Sequence, residues 1–199
     1  MVDIIILISG NSKRMGQEKA LLPFSENKSF VCQLIQTYLK LQKSNIFVLV
    51  NPKNENSIKQ VCYKFKDQLT FVTNTEAEKG RHWSIITGLK QIEKGRAVFI
   101  QNIDNPFTSI NILQAMLKDY RADSFLVPQF KGKNGHPLLL GSALVEEMKR
   151  DENSIVDLKS FLNKHEKRSL ITQEETILAN INTPEEYKKW FPNLFESII

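Results

Sequence analysis

The chain reads as an α/β protein, with a mostly parallel central sheet and helices on both faces. Two observations predict this. Short apolar, β-branched runs alternate with stretches of helical periodicity, and the first run, Ile4 to Ile8, empties abruptly into the small polar loop Ser9-Gly10-Asn11-Ser12. Repeated strand–helix units build a parallel sheet, because parallel neighbours need a crossover connection.

Strands are predicted at 2–8, 45–50, 69–73, 96–101 and 123–128, with helices at 28–42, 54–66, 82–93 and 108–119 between them. In the first helix Val31, Leu34, Ile35, Tyr38 and Leu41 mark one face at helical spacing. Right-handed crossovers then bring the strand ends, and the loops after them, to one edge. The rhythm changes after residue 128, where Gly132, Gly135, Pro137 and Gly141 punctuate a short strand, 136–140. Helices at 142–150 and 154–164, strands near 168–172 and 176–181, and a last helix from Pro184 complete the prediction. Thr183 is its natural N-cap, and Glu185 and Glu186 suit the positive end of the helix. With no repeat or linker, one domain over 1–199 is expected.

Composition narrows the function. Hydrophobic content of 41% and charged content of 25% belong to an ordinary globular chain with a sizeable core. The net charge of +5 comes from dispersed lysines, which suits an anionic small molecule rather than a nucleic-acid groove. Cys32 and Cys62 lack the paired spacing of a zinc or redox motif and read as buried small hydrophobes. No cationic leader precedes the apolar start, and no run approaches the ~18–20 apolar residues of a membrane span, so a cytoplasmic location is expected.

The loop after the first strand is built for polyphosphate. Backbone N–H groups from Ser9 to Ser12 can approach oxygens closely, and Lys13, Arg14 and Lys19 supply positive charge between Gly10, Gly16 and Ala20. The loop has neither the Gly-Lys-Ser/Thr ending of a P-loop nor a G-x-G-x-x-G dinucleotide fingerprint. Past the fourth strand, Asp104 in Asp-Asn-Pro is placed to hold Mg²⁺ against phosphates, although Asp-x-Pro also closes ordinary turns. Asn180 and Asn182 share one side of a late segment, and an asparagine carbonyl is a neutral oxygen ligand or a turn former. Gly80, Ser84 and Gly88 begin a helix whose first-turn groups can read a nucleobase edge, or simply start a helix. His82, Trp83 and His136 are single residues of the kind that are more often structural. No Ser/His/Asp or Cys/His nucleophile arrangement is present.

Taken in order, these segments resemble the MobA-like nucleotidyltransferases. Leu7, Gly10, Ser12, Arg14, Met15, Gly16, Lys19, Leu21, Leu22 and Pro23 match that family's opening signature; Asp104-Asn105-Pro106 resembles its D-x-P, and 180–186 its N/D-x-N/D-T-P-E-[ED] ending. Gly135-His136-Pro137 is similar to a segment of cytidylyl-type members. The resemblance implies a Rossmann-like three-layer fold and transfer of an NMP group from an NTP, CTP or GTP, to a phosphate-bearing acceptor, with molybdopterin the leading candidate. It implies Arg14, Lys19 and Asp104 as catalytic residues. Nucleotide contacts would come from Leu7, Ser9, Gly10, Asn11, Ser12, Lys19, Gly80 and Ser84, and Mg²⁺ would be held by Asp104 and Asn182. Ser9 and Arg81-His82-Trp83 depart from the family pattern by being larger, and no D-x-G-x-R occurs near 151–159. A sugar- or alcohol-phosphate nucleotidyltransferase, or a non-catalytic nucleotide-binding protein, is the alternative.

Overall fold

The structure is a computed structural model and describes residues 1–10, 14–152 and 154–197. The apolar run at the start forms β1 (Val2–Leu7). A small hairpin, β2 (Pro23–Ser25) and β3 (Lys28–Ser29), leads into α1 (Phe30–Tyr38), which Ser29 caps by accepting from the Cys32 amide. Then follow β4 (Ile46–Val50), α2 (Glu55–Val61), β5 (Thr70–Thr73), α3 (Arg81–Leu89), β6 (Ala97–Asn102) and α4 (Ile110–Lys118). The second half supplies β7 (Ser124–Phe130), β8 (Lys133–Asn134), β9 (Leu138–Leu140), α5 (Ser142–Arg150), α6 (Leu158–Leu162), β10 (Glu166–Ile171) and α7 (Pro184–Trp190).

Among the described residues these strands make an eight-stranded sheet in the order β10-β7-β9-β6-β1-β4-β5, with β8 paired to β7. The β5-β4-β1-β6 ladder is parallel throughout, and β10 is parallel to β7. Only β8 and β9 among these strands run antiparallel to their neighbours. From β1 the chain builds outward through β4 to β5, then returns to lay β6 on the other flank of β1. That reversal is a topological switch point, where open α/β sheets leave a crevice at the strand ends.

Successive residues of β1 face opposite ways and join separate cores. Ile4 and Ile6 meet Leu34 and Tyr38 of α1 and Met116 of α4 in one apolar cluster. Ile5 and Leu7 join Ile85 and Leu89 of α3 with Val145 and Met148 of α5 in the other. Each fully buried aliphatic side chain contributes ~1.5–3 kcal/mol of transfer free energy. Gly88 brings α3 onto the sheet, since a Cβ there would stand 2.9 Å from the Ile5 Cδ1.

Four predicted elements differ in the structure. The helix expected at 154–164 is confined to α6, because the Asp157 side chain accepts from the Ser160 amide at 2.9 Å and starts the helix there. The helix expected at 54–66 ends at Val61, and a 3-10 stretch, Tyr63–Gln68, follows it. The start of the 28–42 prediction belongs to the hairpin. The strand expected at 176–181 is a 3-10 turn, Glu175–Leu178, followed by extended chain whose backbone groups serve the loop after β6 rather than the sheet ladder.

Candidate active site

The tips of β1 and β6 lie side by side, with Leu7 opposite Asn102. Beyond them opens a cavity of ≈ 240 Å³ lined by Leu7, Ser9, Gly10, Lys19, Ser84 and Asp104, together with Ala77 and Arg81. The structure thus gathers six of the residues expected from sequence at one strand edge. Gly80 opens α3 next to them, and its carbonyl accepts from the Ser84 hydroxyl at 3.4 Å. Arg14 is exposed and does not line the cavity, while Asn11 and Ser12 lie outside the described residues.

Hydrogen bonds fix the β1 side. Ser9 is buried, and its hydroxyl donates to the Ser84 oxygen at 3.1 Å. Asn74, at the tip of β5, donates to the same oxygen at 2.8 Å. The Asn54 amide donates to the Ile8 carbonyl at 3.3 Å and to Glu18 at 3.0 Å. The strand tip, the loop after it and the start of α3 are therefore one connected unit. Ser9, bulkier than the family pattern, uses its extra atoms in that connection.

The Lys19 ammonium donates to the Asn182 Oδ1 at 2.8 Å, across 163 residues of sequence. Asn182 in turn donates to the Asn180 Oδ1 at 2.7 Å, and its backbone N–H donates to Glu186 at 2.6 Å. The N-x-N-T-P-E-E segment accordingly positions a lysine before it does anything else.

Asp104 sits on a loop wrapped around the fully buried Gln101. That amide donates to the Asn105 carbonyl at 2.9 Å and accepts from Tyr38 at 2.9 Å and Thr108 at 2.6 Å. Asn105 donates to the Ile177 carbonyl at 2.8 Å, and the Ile181 amide donates to the Asp104 carbonyl at 2.8 Å. Held on both sides, Asp104 keeps a buried Oδ1 with no hydrogen-bond partner among the described residues. A buried carboxylate oxygen without a donor is costly unless something charged meets it.

That orphan oxygen is the test for a divalent cation, and it fits one. The described residues contain no cluster of three or more His, Cys, Asp or Glu side chains able to hold a metal by themselves. A magnesium-type ion held by one carboxylate, with phosphate oxygens and water completing its shell, needs no such cluster. The Asn182 Oδ1, the oxygen expected to join Asp104 at such an ion, accepts from Lys19 in this structure.

Sequence reasoning missed Arg81 as a cavity residue, treating it only as bulk. It begins α3 at the rim, where desolvation lowers its pKa and Asp104 opposes the shift. The His136 imidazole shares these neighbours: desolvation lowers its pKa, Asp104 opposes this and Arg81 adds to it. Asn74 and Gln101 were missed too; the only sequence signal for either is an amide side chain at the end of an apolar strand.

A switch-point cavity that holds an anchored lysine and a carboxylate oxygen without a partner among the described residues suits the binding of phosphates. The chain belongs to the MobA-like NTP transferase domain family, whose model matches residues 4–169. The molybdenum cofactor cytidylyltransferase of Escherichia coli strain K12 is 24% identical over 189 residues, covering 94% of this chain and 93% of that one. A probable molybdenum cofactor guanylyltransferase of Natranaerobius thermophilus is 27% identical over 203 residues, covering 94% of each. Among solved structures, Rv0371c from Mycobacterium tuberculosis H37Rv superposes with a TM-score of 0.80 at 16% identity, covering 96% of this chain and 97% of its own. The same mycobacterial protein has been solved as a complex with manganese, with a TM-score of 0.76 at 14% identity.

Proposed function

We propose that this chain transfers an NMP group from CTP or GTP to the terminal phosphate of molybdopterin, releasing pyrophosphate. The observation that carries the reading is the Asp104 Oδ1, buried and without a partner among the described residues, on a residue that lines the same cavity as Ser9, Gly10 and Lys19. The cytidylyl- and guanylyltransferase relatives support the acceptor class.

An acceptor phosphate oxygen forms a bond to the α-phosphorus in line with the bond that breaks, and the electron pair of that bond leaves with pyrophosphate. The protein supplies no nucleophile; it aligns the two substrates and meets developing negative charge. Backbone N–H groups at Ser9 and Gly10 face the phosphates. Lys19, held by Asn182, carries positive charge to the leaving oxygens, and Arg14, exposed outside the cavity lining, would add to it only by turning inward. A divalent ion on Asp104, Mg²⁺ in this reading, would supply charge neutralisation at the phosphates when bound; a manganese complex of a structural neighbour supports that choice. The first turn of α3, fixed through the Ser84 hydroxyl to Ser9 and Asn74, offers a rigid edge to the nucleobase.

The test is pyrophosphate release with CTP and with GTP, each with molybdopterin, with and without Mg²⁺. Turnover with one of the two nucleotides, abolished by removing the ion, is expected. Release with a sugar phosphate but none with molybdopterin would transfer the assignment to that acceptor class. Nucleotide binding without turnover on any acceptor would make the chain a binding protein.

A further inference from the structure

We infer that Arg81, from the first turn of α3, and His136, from the approach to β9, face each other across the Asp104 loop as a phosphate-monoester subsite, and that this subsite receives the acceptor's phosphate. The inference rests on the transferase reading and deepens it, since it separates the acceptor's contacts from those of the triphosphate.

The topology places the two halves. In the sheet β9 flanks β6 on the side opposite β1, and it runs antiparallel to β6, so its beginning lies at the β6 tip. His136 stands two residues before β9, across Asp104 from the phosphate loop. Its position is fixed: the His136 amide donates to the Ile177 carbonyl at 3.0 Å, the same oxygen that accepts from Asn105 at 2.8 Å. A side chain at Gly135 would run into that carbonyl. The segments bearing His136 and Asp104 are thus fastened to one backbone oxygen. Arg81 approaches from the first turn of α3, lines the cavity, and makes no ion pair within 4.0 Å among the described residues.

The chemistry is that of an anion clamp. A guanidinium presents a planar fork that matches phosphate oxygens, and an imidazole N–H adds a further donor. Lys19 is the other cation lining the cavity among the described residues, and its ammonium is bonded to Asn182. An acceptor phosphate that approaches the α-phosphorus brings two negative charges close to the triphosphate. Among the described lining residues Arg81 is the second cation, after Lys19, able to offset that repulsion.

The experiment compares Arg81→Met, Arg81→Lys and His136→Gln with the unaltered full chain. Two measurements are made: steady-state kinetics with molybdopterin varied at saturating nucleotide and then the reverse, and thermal stabilisation by inorganic phosphate against chloride at equal ionic strength. Arg81→Met is expected to raise KM for the acceptor about tenfold or more, as loss of a charged hydrogen bond does. Its KM for nucleotide should stay within about twofold, because the triphosphate contacts are elsewhere. The phosphate-induced stabilisation should vanish in Arg81→Met and partly return in Arg81→Lys, with His136→Gln reducing both responses. Arg81 is exposed, so its variants fold even if His136→Gln does not. An unchanged acceptor KM with an unchanged phosphate response in Arg81→Met overturns the subsite while leaving the transferase reading intact. Normal turnover in both Lys19→Met and Asp104→Ala would bring down the reading, and the subsite with it.

Discussion

Lys19 and Asp104 were legible as single letters because their neighbours constrain them: one follows a glycine-bracketed polar loop, the other precedes a rigid proline. Their partners were not legible. The hydrogen bond from Lys19 to Asn182 joins residues 163 positions apart, and only the folded chain shows that the asparagine is already engaged. The orphan oxygen of Asp104 is likewise a property of its surroundings rather than of its sequence context. Lys19→Met or Asp104→Ala should each lower pyrophosphate release by about 10²–10³-fold, the usual cost of one transition-state contact, with circular dichroism unchanged. His82 yields a different expectation. It is buried, neither ring nitrogen has a partner among the described residues, and desolvation lowers its pKa while Asp157 opposes the shift. The folded chain therefore refuses a proton that the unfolded chain accepts near the ordinary value of about 6.5. Stability from this group is present above that value and is lost as pH falls through it towards the lower folded pKa. Melting temperature should drop between about pH 7 and 5, and less steeply in His82→Phe; a parallel pH profile in that variant would count against this.

Elements announced by periodicity formed where expected. The strand cores near 2–8, 45–50 and 96–101 carry their own signal in continuous apolar runs, as do the amphipathic helices α4 and α5. Boundaries failed where a local hydrogen bond outvoted the pattern. Asp157 moved the start of α6, and the hairpin took the first residues of the helix expected from 28. The strand expected at 176–181 was the deepest miss, because alternation there serves the Asp104 loop through the Ile177 carbonyl and the Ile181 amide. The last helix, by contrast, was written out in full. Thr183 accepts from the Glu186 amide at 3.3 Å while Glu186 accepts from the Thr183 amide at 3.1 Å, a reciprocal capping box. Replacing Thr183 by Ala should cost ~1 kcal/mol of unfolding free energy, measured by urea denaturation. It should also weaken turnover, since the same Glu186 holds the Asn182 backbone.

At the level of the whole molecule the sheet is pinned by a pair that composition gave no reason to suspect. Arg96 donates to both oxygens of the fully buried Asp3, at 2.6 and 2.5 Å, and also to the Lys43 carbonyl at 3.1 Å. The Asn45 amide donates to Asp3 at 2.9 Å. The starts of β1, β4 and β6 are so tied together at the edge opposite the cavity. Arg96→Met would strand the Asp3 carboxylate in the interior and should cost ~3–5 kcal/mol, read as a lower urea midpoint with an unchanged slope. No helix among the described residues is long and apolar enough to cross a membrane. The junction between Lys19 and Asn182 carries one more implication, for the order of events during synthesis. Translation delivers the lysine 163 residues before the asparagine, so a ribosome-bound chain can complete its first crossovers before the bond between them can form. The Lys19–Asn182 bond should then form only after α7 has been synthesised and docks, when the Tyr187 hydroxyl donates to the Pro23 carbonyl at 2.8 Å.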